Sequence, residues 1–265
     1  MSNNEVAKSE AMASKAKSKK RARTDEGGSR KKRKAGFQQD ESLLDTEAGV
    51  NQAIAAMDPQ LLADYLAQKT SRFGSDLSPV ELADLYISPI SIEDTTSWQE
   101  PRNLEKLPEF LEKFTKEPEK LKKAPKLKGS PHTIIVSGAG LRSADVVRSV
   151  RKFSSKGNMV AKLFAKHIKL DEASKNLKEH RTGMAVGTPA RLNDLVENGS
   201  LSLANLERLV VDASHIDQKK RGVLDMKDTL MPLIRWLARR EFKESSFHVM
   251  VHFYGVWRTT GSTKA

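Results

Sequence analysis

The residues best suited to chemistry are an aspartate and a histidine that closely follow a short apolar run. Asp212-Ala213-Ser214-His215 comes directly after the apolar residues 209–211. An Asp and a His at this spacing could be two metal ligands, but a protein metal site needs at least a third, and alanine performs no proton transfer. We therefore favour a structural interpretation, in which Asp212 caps a helix and His215 hydrogen-bonds nearby backbone. No metal, cofactor or catalytic residue is predicted.

A second polar group follows the apolar residues 183–186. Residues 187–191 are Gly-Thr-Pro-Ala-Arg, in which the proline suits the first turn of a helix. The start of such a helix offers free backbone amides, a hydroxyl and a guanidinium to one phosphate. Thr188 and Arg191 are therefore candidate phosphate contacts. The alternative is ordinary helix capping, with Thr188 at the N-cap.

Gly138-Ala139-Gly140 is a possible phosphate-binding loop, because it follows one apolar run and precedes a helical pattern. A nucleotide-binding loop of the G-x-x-x-x-G-K-[ST] type needs a Lys and a hydroxyl, and the sequence contains no such motif. The dinucleotide fingerprint needs a third glycine where this chain has Ser143. We predict that no nucleotide is bound.

Both polar groups must be positioned by a sheet that begins after His132. Five short apolar runs alternate there with helical patterns, which favours an α/β fold with one parallel sheet and helices on both faces. In such sheets the carboxyl ends of the strands form one binding edge. Five strands are predicted: residues 133–137, residues 159–164, a strand around Met184, a strand around Leu209, and residues 247–253. Four helices are predicted: residues 144–153, residues 170–180, a helix that begins at Pro189, and residues 224–238.

Residues 43–130 form a predicted helical extension. Asp58 can cap a first helix, Ser78 can begin a second through a capping box, and a third is expected over 107–114. Residues 113–128 are rich in lysine and interrupted by prolines, which is typical of a connector. The α/β domain is predicted to span 131–265.

The net charge of +12 is concentrated at the N-terminus, where residues 1–36 hold 12 Lys and Arg against 4 Asp and Glu. Residues 1–42 contain too few apolar side chains to form a core and are predicted to be disordered. Two basic clusters resemble a bipartite nuclear import signal, and the alternative is a solvated charged tail. The clusters comprise Lys19, Lys20, Arg21, Arg23, Arg30, Lys31, Lys32, Arg33 and Lys34.

The composition excludes two further classes of protein. There is no cysteine, so disulfides and cysteine-based zinc sites are absent. No apolar run approaches the roughly 18 residues that a membrane helix requires, and no secretory signal is found. A soluble intracellular protein without a membrane partner is expected.

Residues 188–191 resemble the Thr-Pro-Gly-Arg motif with which DEAD-box RNA helicases hold the RNA backbone, although Ala190 replaces the glycine. Residues 212–215 stand where these helicases carry the Asp-Glu-Ala-Asp motif that binds magnesium and positions the attacking water. Only the first Asp of that motif is present here. The resemblance implies a single RecA-like domain, similar to the first half of such a helicase, that retained an RNA-facing edge and lost its ATPase.

Further basic residues are candidate RNA contacts by position and charge. Arg142 lies near the place of the helicase Pro-Thr-Arg-Glu-Leu motif, and aromatic side chains are few, so phosphate attraction would dominate over base stacking. The other candidates are Lys166, Lys219, Lys220 and Arg221, with additional charge from Lys162, His167 and Lys169 and a possible extension through Arg239, Arg240 and Arg258.

Four longer segments, residues 136–142, 162–170, 186–189 and 212–217, closely resemble the nucleolar family named "complementation of Mcm-ten suppressor". The resemblance covers about residues 37–255. It implies a non-enzymatic pseudo-helicase of ribosome biogenesis, located in the nucleus and nucleolus.

The partners implied by this resemblance are pre-ribosomal RNA, proteins of the small-subunit processome and a nuclear import receptor. The alternatives are a scaffold that touches only proteins and a chromatin-associated factor. An active helicase would need a second RecA-like domain that 265 residues do not supply.

Overall fold

Aliphatic runs bounded by polar turns form the strands, as the alternation in the second half of the sequence predicts. The computed structural model describes residues 41–47, 49–164, 168–239, 242 and 250–253. Its strands are β1 (Leu44–Asp45), β2 (Val50–Asn51), β3 (Thr133–Val136), β4 (Met159–Leu163), β5 (Thr182–Gly187), β6 (Arg208–Val211) and β7 (Met250–Phe253).

Helices surround and precede the strands. The α-helices are α1 (Pro59–Phe73), α2 (Pro79–Asp84), α3 (Leu107–Lys113), α4 (Gly140–Ser149), α5 (Leu170–Glu179), α6 (Pro189–Glu197) and α7 (Lys227–Leu237). Short 3-10 helices cover Glu41–Leu43, Ala53–Ala56, Pro89–Ser91, Pro118–Lys122 and Val150–Phe153. Among the described residues, no helix is long and apolar enough to cross a membrane.

One parallel sheet of five strands organises the fold, in the order β4-β5-β3-β6-β7. Along β3, Ile134 points to one face and Ile135 to the other, because successive strand residues alternate. The first face is covered by α1, α5, α6 and α7, and the second by α3 and α4. The predicted α/β fold, a single parallel sheet with helices on both faces, is confirmed.

The N-terminal extension belongs to the same two cores as the sheet. Leu66 of α1 packs in the first, and Phe110 of α3 packs with Ile135 in the second. The extension is less helical than predicted, since it also contains 3-10 turns and the antiparallel pair β1-β2. The three expected helices are present, and the segments between and before them form 3-10 turns and short strands instead.

Local signals predicted helix starts well. Asp58 accepts the Leu61 amide at 2.8 Å, and Ser78 forms the expected capping box with Glu81. Two helices differ from the prediction by more than one residue. The helix expected over 144–153 begins earlier and ends in a 3-10 turn, and the helix expected over 224–238 begins at Lys227, because Asp225 first accepts the Gly222 amide in a turn.

A buried polar cluster lies at the amino ends of β3 and β6. The Thr133 hydroxyl lies 2.8 Å from the His132 Nδ1 atom and accepts a hydrogen bond of the same length from Arg208. Burial, and then the nearby Arg208 charge, lower the pKa of His132 to about 4. The imidazole is therefore neutral in the folded protein at neutral pH.

This shift predicts a pH dependence of stability. His132 binds a proton below about pH 6.5 in the unfolded chain but only below about pH 4 in the folded protein. The contribution of His132 to the free energy of unfolding is therefore fully present above pH 6.5 and is lost as the pH falls. Between pH 7 and pH 5, we expect His132 alone to lower the free energy of unfolding by about 2 kcal/mol. Urea unfolding of His132→Gln should show a pH dependence smaller by that amount. His180→Gln, at an exposed residue, is the control, and an equal change in both variants would contradict the assignment.

Candidate nucleic-acid interface

The carboxyl ends of four strands stop in register and place the polar residues predicted for the site side by side. Ser137 donates its amide to Gly187, and Asp212 donates its amide to Val136. Thr188 and Asp212 therefore flank Ser137, each one residue beyond its strand. With strands about 4.8 Å apart, their backbones are roughly 10 Å apart. The predicted edge of the sheet exists.

Asp212 and Arg142 form a two-pronged ion pair. Arg142 Nε donates to Asp212 Oδ2 at 2.6 Å and Nη2 donates to Oδ1 at 3.0 Å, and only 4% of the aspartate side chain is exposed. The prediction that Asp212 caps a helix is therefore wrong, because its carboxylate is held by a guanidinium. Arg142, a candidate RNA contact, is engaged with this carboxylate.

The loop after β6 is paired with the N-terminal extension. Asn51 donates its amide to Ser214 at 2.7 Å, and Ile216 donates to Gly49 at 2.9 Å, so residues 49–51 lie antiparallel to residues 214–216. Burial and the Arg142 charge lower the pKa of His215, against the opposite effects of Asp212 and of the Gly49 backbone. The predicted bond of His215 to nearby backbone stays a prediction, and the backbone that lies beside the imidazole is that of Gly49.

The first glycine after β3 leaves little space for a phosphate. A Cβ atom on Gly138 would lie 3.3 Å from the Val223 Cα atom, so the loop is packed against the segment that precedes α7. The Ser137 and Ser143 hydroxyls hydrogen-bond each other at 2.6 Å, and Ser143 also donates to the Ala139 carbonyl. Within the described ranges, no three His, Asp or Glu side chains gather as metal ligands.

Thr188 and Arg191 lie at the start of α6 as predicted, but their side chains have different environments from each other. Thr188 occupies the N-cap position, but its side chain makes no capping hydrogen bond, which differs from the capping interpretation. Arg191 donates from Nη1 to the Ile168 carbonyl at 2.8 Å and is half-buried. The guanidinium therefore ties α6 to the loop that follows β4.

The basic triplet after β6 is built around Asp217. Its carboxylate accepts the amides of Lys219 and Arg221, and also the Arg221 guanidinium at 2.9 Å. Lys220 has a left-handed φ of 58°, which turns the loop sharply. Lys219 and Lys220 are exposed, whereas the charge of Arg221 is paired.

The remaining predicted charges fall into two groups. Lys162 and Lys169 are exposed near the end of β4, on the predicted side, and Arg239 follows α7. Lys166, His167, Arg240 and Arg258 lie outside the described residues, as do the import-signal clusters in residues 19–34.

A basic surface that sequence reasoning treated only as a connector lies at the opposite end of the sheet. Leu121 is fully buried and fixes the connector, while Arg181, just before β5, donates to the Ala124 and Pro125 carbonyls. Lysines on both sides of these anchors are exposed. The signal that could have revealed the surface is the seven lysines against two glutamates in residues 113–128.

Comparison with known proteins identifies the relatives of this chain. Residues 1–254 match the family model described as "CMS1: U3-containing 90S pre-ribosomal complex subunit". Protein CMS1 of Chaetomium thermophilum is 59% identical over 242 residues, covering 89% of this chain and 96% of that protein. Protein cms1 of Schizosaccharomyces pombe is 30% identical over 203 residues, covering 77% and 70%. Human Protein CMSS1 is 37% identical over 109 residues, covering 41% and 39%.

The family match extends across the extension, the sheet and the basic tail, and so covers every segment from which the resemblance was drawn. The family predicted from residues 136–142, 162–170, 186–189 and 212–217 is therefore confirmed. This chain belongs to the CMS1 family, which is described as a subunit of the U3-containing 90S pre-ribosomal complex.

Proposed function

We propose that this chain is a non-catalytic ribosome-biogenesis factor that binds pre-ribosomal RNA and acts within pre-ribosomal particles. The biogenesis role is supported by the family, described as a subunit of the U3-containing 90S pre-ribosomal complex. The observation that carries RNA binding is the start of α6. Its first-turn amides have no side-chain cap, and a helix start of this kind favours a phosphate.

The non-catalytic part of the proposal rests on the residues that replace a magnesium and water site. The carboxylate of Asp212 is occupied by Arg142, Ala213 carries no proton-transfer group, and the backbone around His215 pairs with residues 49–51. A magnesium ion at Asp212 would have to displace a two-pronged guanidinium. The chain therefore acts by binding, without hydrolysing a nucleotide.

RNA contact is assigned to Thr188 and Arg191. Lys219 and Lys220 add positive charge near this contact, and Arg221 fixes the shape of their loop. Lys166 is proposed on position alone. Arg142 supports the edge by holding Asp212. The alternative is a nuclear protein–protein scaffold or chromatin-associated factor that does not touch RNA.

We propose the same three-part organisation as the sequence predicted: a basic tail over 1–42, an extension over 43–130 and an α/β domain over 131–265. The tail would be recognised by a nuclear import receptor, and the protein would accumulate in the nucleus and nucleolus. Replacing Lys31, Lys32, Arg33 and Lys34 by Ala in a fluorescently tagged chain tests this assignment, because unchanged nuclear accumulation would refute it.

The RNA assignment predicts a change in salt dependence. Arg191→Ala should weaken binding of unrelated RNA sequences about fivefold and reduce the slope of log affinity against log salt by about one, because one phosphate contact is lost. Thr188→Val, which keeps the branched shape, should cost less and leave the slope unchanged. Fluorescence anisotropy at several salt concentrations measures both, and melting curves check folding. Wild-type affinity and slope in both folded variants would exclude this edge as the RNA contact.

A further inference from the structure

The lysine-rich connector is anchored by hydrogen bonds at the amino ends of the central strands. Asn158, in the turn before β4, donates to the Leu121 carbonyl at 3.4 Å and to the Phe153 carbonyl at 2.8 Å. At the other end of the connector, Gly129 has a φ of 67° and accepts the Ser202 amide. The segment is thus anchored at Leu121, at residues 124–125 and at Gly129.

This scaffold exposes a row of positive charges. Lys120 and Lys122 form ion pairs with Glu117 and Glu119 in the same turn. Lys123, Lys126 and Lys128 have no carboxylate within ion-pair distance among the described residues, and all three side chains are exposed. These charges are therefore available to an external anion.

An open cavity of about 300 Å³ lies beside this row. Its lining includes Lys120, Lys123, His132 and Glu207. Glu207 is 3.2 Å from Arg208, so its negative charge is compensated within the protein. The cavity is large enough for a phosphate group, and its lining includes Lys123 together with Lys120, whose exposed ion pair with Glu117 is weak enough for a phosphate to displace.

The charge of the chain is segregated, so the row is not part of a uniformly basic surface. Residues 41–100 contain 11 Asp and Glu against two Lys and Arg, whereas residues 113–128 contain seven Lys against two Glu. A polyanion is repelled by the first stretch and attracted by the second. No Phe, Tyr or Trp lines the cavity, which favours backbone phosphates over stacked bases.

We propose that Lys120, Lys123, Lys126 and Lys128 form a second RNA-binding surface, which holds the phosphate backbone at the amino end of the sheet. This inference rests on the proposed RNA-binding function and adds a surface at the end opposite Thr188 and Arg191. Central strands of four to six residues separate the two ends by roughly 13–20 Å. The protein would thereby hold two stretches of RNA backbone on opposite sides of one sheet.

The test replaces these four lysines by glutamine in the full chain and measures binding of an unstructured 20-nucleotide RNA at several salt concentrations. We expect at least a tenfold loss of affinity near 0.1 M salt and a slope of log affinity against log salt reduced by about three, as four phosphate contacts disappear. The matched control removes the same charge elsewhere on the surface, by changing Arg72, Lys106, Lys227 and Arg235 to glutamine, and should weaken binding about threefold or less. Melting curves verify that both variants fold.

Three other results would each contradict a specific part of the proposal. If the connector variant binds as well as the control while Arg191→Ala binds weakly, the second surface is refuted and the edge at Thr188 stands. If the wild-type chain binds no RNA, both the surface and the proposed function fail. If poly-glutamate displaces the RNA as efficiently at equal charge, the surface is assigned to an acidic protein segment instead.

Discussion

Arg142→Met should destabilise the protein by about 3 kcal/mol, because it leaves the Asp212 carboxylate buried without its partner. Only 15% of the Arg142 side chain is exposed, so water cannot easily replace the guanidinium. In a domain of this size, such a loss lowers the melting temperature by roughly 9 °C. Calorimetry or urea unfolding near pH 7 measures the effect.

A double-mutant cycle distinguishes this ion pair from simple loss of packing. Asp212→Asn removes the charge but keeps the shape, and adding it to Arg142→Met should recover most of the lost stability. Arg148→Ala, which breaks the exposed pair with Asp145 on the same helix, should change stability by no more than about 0.5 kcal/mol. If the double variant is as unstable as the sum of the single ones, the buried-charge explanation fails.

Phe110→Ala should lower the free energy of unfolding by about 3–5 kcal/mol, because the ring is fully buried between the extension and the sheet. The ring meets Trp98 edge-to-face with centroids 5.6 Å apart and lies 4.7 Å from the Phe114 ring. Such aromatic pairs contribute beyond their buried area. Val80→Ala, at an exposed residue of the same extension, is the control.

The same variant reports whether the extension and the sheet unfold together. Phe110 shares its core with Ile135 and Val210, so removing it should shift one cooperative transition seen by all probes. Tryptophan fluorescence and far-ultraviolet circular dichroism should therefore give coincident melting curves. A fluorescence transition that precedes loss of backbone structure would mean that the extension unfolds independently.

The sequence predicted features whose causes are local. Pro59 and Pro79 follow capping residues, and their helices begin there. The strands expected over 133–137 and 159–164 were correct within one residue, whereas residues 247–249 of the last expected strand lie outside the described residues. The family and the sheet edge at Thr188 and Asp212 were also accessible, because short motifs carry them. Each of these depends on residues within a few positions of one another.

The hydrogen-bond and ion-pair partners of the predicted basic residues could not be predicted from the sequence in this way. Arg142 and Asp212 are 70 positions apart, and only the pairing of β3 with β6 brings them together. Periodicity likewise gave no sign that Arg191 would bind the Ile168 carbonyl. The connector lysines were visible as composition, but their common surface depends on Arg181 holding the backbone of residues 124 and 125.

The pairing of residues 49–51 with residues 214–216 has a consequence for the order of events during translation. The first helices leave the ribosome early, yet Asn51 bonds to Ser214, and Lys69 forms its 2.6 Å ion pair with Asp225, 156 positions later. Until that far segment is synthesised, the apolar side of α1 lacks α7, the helix that packs with it in the first core. A nascent chain that stalls before residue 225 therefore exposes this side to chaperones and proteases, although most of the protein has already been made.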